Sequence, residues 1–290
     1  MNSGNADVAG WATLAPAKVN LDLRMRGLRG DGYHLLSTVL QAVALADRVI
    51  LRRRPGDFGL ECDTPGVPLD RRNLAWRGAE AMAAALDVPL EGYQLRLEKH
   101  VPAEAGLGGG SADAVAAARL VAAAAGRVVT RDQVAEVVRP LGADVAFFAW
   151  GGTMRGEGIG DALTPLPDHP PGQVLLVRPP FGVSTRDAYR WYDEAPAVPD
   201  AGGAGAFTND LQRPVAARHP EIEAIVARLG AGGARLAAMS GSGSACFGVF
   251  SPDVDLAALE VGWPEGTRIW RTHLLSRAAY EEATRCVPLA

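Results

Sequence analysis

The chain has 290 residues, room for one large domain or two small ones. Hydrophobic residues make up 48% and charged residues 21%, which excludes a disordered polar chain, and 34 Gly with 20 Pro but no three-residue period exclude collagen. A net charge of −4 argues against a protein that holds nucleic acid through bulk positive charge.

Cys62, Cys246 and Cys286 are far apart and odd in number, so they read as reduced thiols rather than a zinc site or a disulfide framework. Met1 to Gly10 lacks both the basic and the apolar part of a signal peptide. The Ala-rich run from Ala112 to Ala125 contains Asp113 and Arg119 and is too short to cross a membrane. The expected setting is the cytoplasm, with neither nucleic acid nor membrane as partner. No oligomeric state can be read from the sequence. Of the 29 basic residues only Lys18 and Lys99 are lysines. Where arginine is used everywhere else, a lysine can mark a site that needs a compact point charge.

In chain order, Val19, Leu21, Leu23 and Met25 alternate with Asn20, Asp22, Arg24 and Arg26, the pattern of a half-buried strand. It ends at a glycine-containing stretch with the turn signal Asp31-Gly32. Asp47 to Arg54 predicts a second strand, its end solvated by Arg52, Arg53 and Arg54. Asn73 to Leu86 predicts a helix, and Leu95 to Val101 a strand running straight into Pro102. An Ala/Val-rich helix follows to about Ala125, and Thr130 with Gln133 forms a capping box for the next.

Gly151-Gly152 and Gly156 to Gly160 predict turns between short strands, and Val174 to Val177 a buried strand. Ser184 with Asp187 caps a helix through Tyr189 and Tyr192, and Ala195 to Ala206 predicts a flexible loop. Pro220 to Leu229 predicts a helix stopped by Gly230. Met239 to Ser244 leads into a strand from Ala245 to Phe250; a helix near Val254 to Glu260 and a strand near Arg268 to His273 close the chain. Strands and helices mix without strict alternation, which favours α+β, with a domain change near residues 160–170.

The run Gly106-Leu107-Gly108-Gly109-Gly110-Ser111 lies between a predicted strand and a predicted helix. Glycines let backbone N–H groups come close to an anion, and a helix start offers free N–H groups and a positive dipole end, so phosphate is the natural guest. The alternative is a tight turn that binds nothing, but four glycines in five positions exceed what a turn needs. The run is neither a Walker A loop nor the G-x-G-x-x-G dinucleotide fingerprint.

Pro102 to Ala112 resembles the phosphate loop of the galactokinase, homoserine kinase, mevalonate kinase and phosphomevalonate kinase (GHMP) superfamily. Ala15 to Leu21 resembles its first-strand motif, and Met239-Ser240-Gly241-Ser242-Gly243 its C-terminal motif. Within the superfamily, Ala15 to Asn20, Asp31-Gly32-Tyr33-His34 and Leu141-Gly142-Ala143-Asp144-Val145 resemble signatures of the 4-diphosphocytidyl-2-C-methyl-D-erythritol kinases. The chain departs from that pattern at Glu104 and Ala105, where glycines are common, and at Ala112 and Ala146.

The resemblance implies an α+β fold of two domains: an N-terminal ATP-binding domain over 11–165, like ribosomal protein S5 domain 2, and a ferredoxin-like C-terminal GHMP kinase domain over 166–290. It implies ATP and Mg²⁺, and a small-molecule substrate carrying a cytidine diphosphate group. Pro102, Gly106, Leu107, Gly108, Gly109, Gly110, Ser111 and Ala112 would hold ATP. Lys18 and Asp144 would be the catalytic pair. Asn20, Tyr33, His34, Tyr189, Ser240, Gly241, Ser242 and Gly243 would bind the substrate, with the base between Tyr33 and Tyr189. A protein carboxylate for Mg²⁺ does not stand out.

Plainer readings stand beside these. Asp144 could be a helix N-cap, Lys18 a strand-edge charge, Tyr189 a core aromatic with Tyr192, and 240–244 a simple turn. Lys99 reads as structural. At the level of function the alternatives are another kinase of the superfamily, acting on mevalonate or homoserine, and a nucleotide-binding sensor without activity. The Asp31 to His34 segment argues against the first and intact Lys18 and Asp144 against the second.

Overall fold

The computed structural model describes residues 9–195 and 208–289. Two sheets meet face to face. The first begins with β1 (Gly10–Leu28) and β2 (His34–Arg53), an antiparallel hairpin whose partners run from Gly10↔Arg52 to Leu28↔His34. After β3 (Gly59–Cys62) and helix α1 (Leu74–Leu86), β4 (Tyr93–Glu98) pairs antiparallel with β2 and parallel with β3. Then come α2 (Gly109–Ala124), α3 (Arg131–Val138), a 3₁₀ turn and α4 (Phe147–Trp150). Strand β5 (Thr153–Glu157) returns to β2, and β6 (Ala162–Pro165) pairs with β5.

The second sheet has the order β10-β7-β9-β8, all antiparallel: β7 (Gln173–Arg178), β8 (Leu236–Met239), β9 (Cys246–Phe250) and β10 (Arg268–His273). Helices α5 (Thr185–Glu194), α6 (Gln212–Ala216), α7 (Glu221–Ala231) and the short α8 (Ala257–Glu260) accompany it. Helix α9 (Arg277–Ala283) and β11 (Val287–Leu289) then return to the first sheet, where Trp11 pairs with Pro288.

Packing follows composition. Alanine and glycine let α1 and α2 touch backbone to backbone: a Cβ on Gly78 would lie 2.1 Å from the Ala114 carbonyl oxygen. Between the sheets, Ala17, Val19 and Leu21 of β1 bury against Val101, Ala105, Leu107, Ala245 and Phe247. Burying a side chain such as Val, Leu or Phe contributes about 1.5–3 kcal/mol, so this layer fastens the phosphate-loop flank to the C-terminal sheet.

Several expectations meet the structure with corrections. The Asp47 to Arg54 strand is only the end of a 20-residue strand. Strand β4 stops at Glu98 because the next amides leave the ladder: His100 N and Val101 N both donate to Asp47 Oδ1, at 2.5 and 2.8 Å. Gly230 lies inside α7, which is closed by Gly232, and Gly156 lies inside β5, so the turn there is 158–161. The predicted helix at 254–260 shortens to α8, and the chain does not close at His273. The Thr130–Gln133 capping box and the Ser184 cap form as read. Beyond Ala195, the loop predicted to run to Ala206 lies outside the described residues.

Candidate active site

The alternation read in β1 breaks where it matters. Register irregularities fall between Pro16 and Lys18 and between Asn20 and Asp22. Pro16 has no N–H for the ladder, and such irregularities re-aim side chains. Asn20, on the polar side of the alternation, and Lys18 are both buried. The Lys18 ammonium donates to Asn20 Oδ1 at 2.6 Å and to the Gly106 carbonyl at 2.8 Å, and lies 3.5 Å from Asp144 Oδ2. Asn20 is held in turn: its Nδ2 donates to Thr38 Oγ1 at 2.8 Å, and Thr38 donates to the Asp22 carbonyl at 2.6 Å.

The Lys18 side chain is 3% exposed and that of Asp144 42%, so a buried cation points at a wet carboxylate. Burial holds the Lys18 ammonium below its ordinary pKa, and the Asp144 charge partly restores it. The Asp144 side chain is thus partly buried, with its carboxylate open to the cleft. The N-cap of α4 is Ala146, without a side-chain cap, so Asp144 does not serve as one.

The glycine run turns from strand to helix through the left-handed conformation of Gly106 and Gly108, both at φ +71°. Gly108 is the N-cap of α2 and offers no side-chain cap, so the first amides of a 16-residue helix are left for a ligand. Glu104 also sits at φ +50°, in the left-handed region that favours glycine.

The loop is locked to the C-terminal motif. Ser240 Oγ donates to the Gly106 carbonyl at 3.0 Å and accepts from Asn20 N at 3.3 Å. A Cβ on Gly106 would lie 1.9 Å from the Ser240 carbonyl oxygen, and one on Gly241 3.2 Å from Lys18 Nζ. The three motifs, some 90 to 220 residues apart in sequence, therefore meet within van der Waals distance. Gly106→Ala should destabilise the protein by about 1–3 kcal/mol through strain at positive φ and weaken ATP binding. Gly30→Ala, which would have nothing within 4 Å, should change neither. Thermal melts and calorimetry on both variants check this.

A cleft of about 760 Å³ opens in front of these groups. Pro102, Gly106 to Ser111, Lys18, Asn20, Asp144, Tyr189, Gly241, Ser242 and Gly243 line it. Ala112 is buried on the inner side of α2 and Ser240 lies behind the wall, so neither faces the cleft. Tyr33 and His34 are outside the lining as well. Tyr33 is largely exposed near the hairpin end, under the Arg29 guanidinium at 5.4 Å. The His34 ring rests on α5 instead, 5.0 Å from the ring of Tyr189. The Tyr189 phenol is pushed up to about 12 by burial and, second, by the Asp144 charge.

The lining also holds residues that sequence reasoning missed: Thr38, the 66–68 turn with Arg72 and Asn73, and Asp113. Asn73, read only as the first residue of a helix, is the N-cap of α1, accepting from Ala75 N at 2.9 Å. Lys99, read as structural, bonds Asp47 and lies 2.5 Å from Asp113 Oδ2, just behind the loop. Among the described residues no group of three His, Cys, Asp or Glu could hold a metal ion, and no helix is long and apolar enough to cross a membrane.

Residues 73–152 match the family described as GHMP kinases N terminal domain, and residues 197–265 match GHMP kinases C terminal. A 4-diphosphocytidyl-2-C-methyl-D-erythritol kinase of Moorella thermoacetica is 40% identical over 253 residues, 81% of this chain and 88% of its own. That of Desulfitobacterium hafniense is 34% identical over 280 residues, 91% of this chain and 95% of its own. A crystal structure of 4-(cytidine 5'-diphospho)-2C-methyl-D-erythritol kinase is similar with a TM-score of 0.74 at 35% identity, covering 91% of this chain and 98% of that one. A mevalonate kinase structure, 12% identical with a TM-score of 0.66 over 91% of this chain and 99% of that one, shares the fold. Similarity of this extent, in sequence and in fold, means that the chain belongs to the 4-diphosphocytidyl-2-C-methyl-D-erythritol kinase family of the GHMP kinases.

Proposed function

We propose that the protein transfers the terminal phosphoryl group of ATP to the 2-hydroxyl of 4-diphosphocytidyl-2-C-methyl-D-erythritol, a step of the non-mevalonate route to isoprenoid precursors. The observation that carries this reading is the buried Lys18 ammonium, 3.5 Å from the Asp144 carboxylate, beside the uncapped start of α2. Phosphoryl transfer needs positioning, charge neutralisation and an acceptor for the hydroxyl proton.

Asp144 takes that proton as the new O–P bond forms and the bond to the leaving ADP oxygen breaks. Lys18, with its other protons committed to Asn20 and Gly106, orients Asp144 and the hydroxyl together. Pro102 and the amides of Gly106 to Ser111 hold the ATP phosphates. Gly241, Ser242 and Gly243 close on the substrate from the C-terminal side, while Ser240 and Ala112 support from behind. Mg²⁺, when bound, neutralises phosphate charge, and the Ser111 hydroxyl at the cleft wall is the protein group that would reach it.

Tyr33, His34 and Tyr189 serve the cytosine. The division into units at 11–165 and 166–290 is supported by the sheets, since six of the seven strands of the first precede residue 166 and only β11 returns. The test is ATP consumption by the purified protein with the cytidine-containing substrate, mevalonate and homoserine in parallel. Turnover is expected with the first alone. Turnover with mevalonate or homoserine instead, or with none of the three, overturns the reading.

A further inference from the structure

The end of the β1–β2 hairpin does not hang free. His34 opens β2 and docks on one face of α5, touching Tyr189, Tyr192 and Asp193, which are spaced i, i+3, i+4. The imidazole lies 5.0 Å from the Tyr189 ring at 48° and 6.0 Å from the Tyr192 ring at 82°. Its Nε2 is 2.7 Å from Asp193 Oδ1. Among the described residues nothing else hydrogen-bonds the ring. The ring is 13% exposed, so its orientation is set by these three contacts.

An ionised carboxylate can only accept a hydrogen bond, so the nitrogen that faces Asp193 must carry the proton. In the neutral ring Nδ1 is then bare and acts as an acceptor. Cytosine and uracil differ at the position an acceptor would read: cytosine presents an exocyclic amine there and uracil a carbonyl oxygen. We propose that Asp193 is a positioning residue that fixes His34 in the Nε2–H tautomer, so that Nδ1 accepts from the cytosine amine and rejects uracil. This rests on the reading that His34 serves the base. Tyr189, which lines the cleft while packing on His34, joins the ring to the site.

The experiment compares kcat/KM for the cytidine and uridine forms of the substrate in wild type, His34→Ala, Asp193→Ala, Asp193→Glu and the double variant His34→Ala/Asp193→Ala. Losing one such hydrogen bond is worth roughly 3- to 10-fold in discrimination. Asp193→Ala should narrow the preference for cytidine by that factor, mainly through KM for the cytidine form. Asp193→Glu should restore most of it, and the double variant should narrow it no further than His34→Ala alone. Nitrogen-15 spectra of the imidazole should show Nε2 protonated in wild type and a mixture of tautomers in Asp193→Ala.

If His34→Ala narrows the preference and Asp193→Ala does not, the proposal falls while the cytidine reading stands. Neither variant narrowing it removes His34 from the base, and the proposal with it. A wild-type spectrum with Nδ1 protonated and Nε2 bare also overturns it. Failure of wild type to use the cytidine substrate at all is the separate failure of the proposed function.

Discussion

Asp144→Asn should lower kcat by about 10²–10⁴-fold, the usual worth of a general base, with ATP affinity nearly intact. The carboxamide keeps the shape but cannot take the hydroxyl proton. Two features keep the test clean. The Asp144 side chain is half exposed, so its replacement buries no new polar group. The ATP-facing amides belong to the 106–111 loop, which Asp144 does not support.

Lys18 is then left with Asn20 Oδ1 and the Gly106 carbonyl, both neutral, and loses the charge that offsets its burial. Its pKa should fall further in the variant than in wild type. Lys18→Arg should also lose activity. The ammonium sits against the backbone of Gly241, where even a Cβ would come within 3.2 Å of it, and a planar guanidinium has no space there. Steady-state kinetics and calorimetry with a non-hydrolysable ATP analogue check both variants. Near-normal kcat in a folded Asp144→Asn protein removes the assignment.

What could be read in advance was the part in which chemistry demands residue types. A phosphate cradle needs glycines before a helix, and that run stands out wherever the chain folds. Lys18 stood out because arginine is used nearly everywhere else. The supports of those residues were hidden. Asn20 meets Thr38 only because the hairpin register slips on both sides of it, and no periodicity announces a bulge. Asp193 carried no signal in the sequence, because its partner His34 lies at the end of a distant hairpin. Strand β11 was missed for the same reason: Val287 to Leu289 is short, and its partner lies at the other end of the chain. Local pattern reports local structure, and these contacts are decided by topology.

Lys99→Met should be the most destabilising change outside the cleft chemistry, at about 3–5 kcal/mol, because it strands two buried carboxylates. Asp47 and Asp113 are both almost wholly buried, and the Lys99 ammonium touches both. The three tie together β2, the turn after β4 and α2, which are the two flanks of the phosphate loop and the sheet beneath it. Among the described residues Asp113 Oδ1 has no hydrogen-bond partner, so Lys99 is the main compensation for its charge. Burial pushes the Asp113 carboxyl up from the ordinary 3.8 to about 7, with the Asp47 charge adding and Lys99 pulling the other way. Burial also pulls the Lys99 ammonium down, but the two carboxylates outweigh it and hold it above its ordinary value.

The pH dependence follows from the sign. A carboxyl that binds its proton more tightly in the folded state than in the unfolded one stabilises the fold fully below about pH 4, and that stabilisation is lost as pH rises to about 7. Asp113→Asn should therefore flatten the stability profile between those limits. In Lys99→Met the ammonium no longer pulls the Asp113 carboxyl down, so the window of loss moves upward, and the variant should be more destabilised at pH 8 than at pH 5. Adding Asp113→Asn to Lys99→Met should recover a large part of the loss, since one stranded charge is removed. Denaturant unfolding of the three variants and wild type at several pH values checks this, and a Lys99→Met penalty below about 1 kcal/mol, the range of an exposed ion pair, would show that the buried cluster does not hold the loop in place.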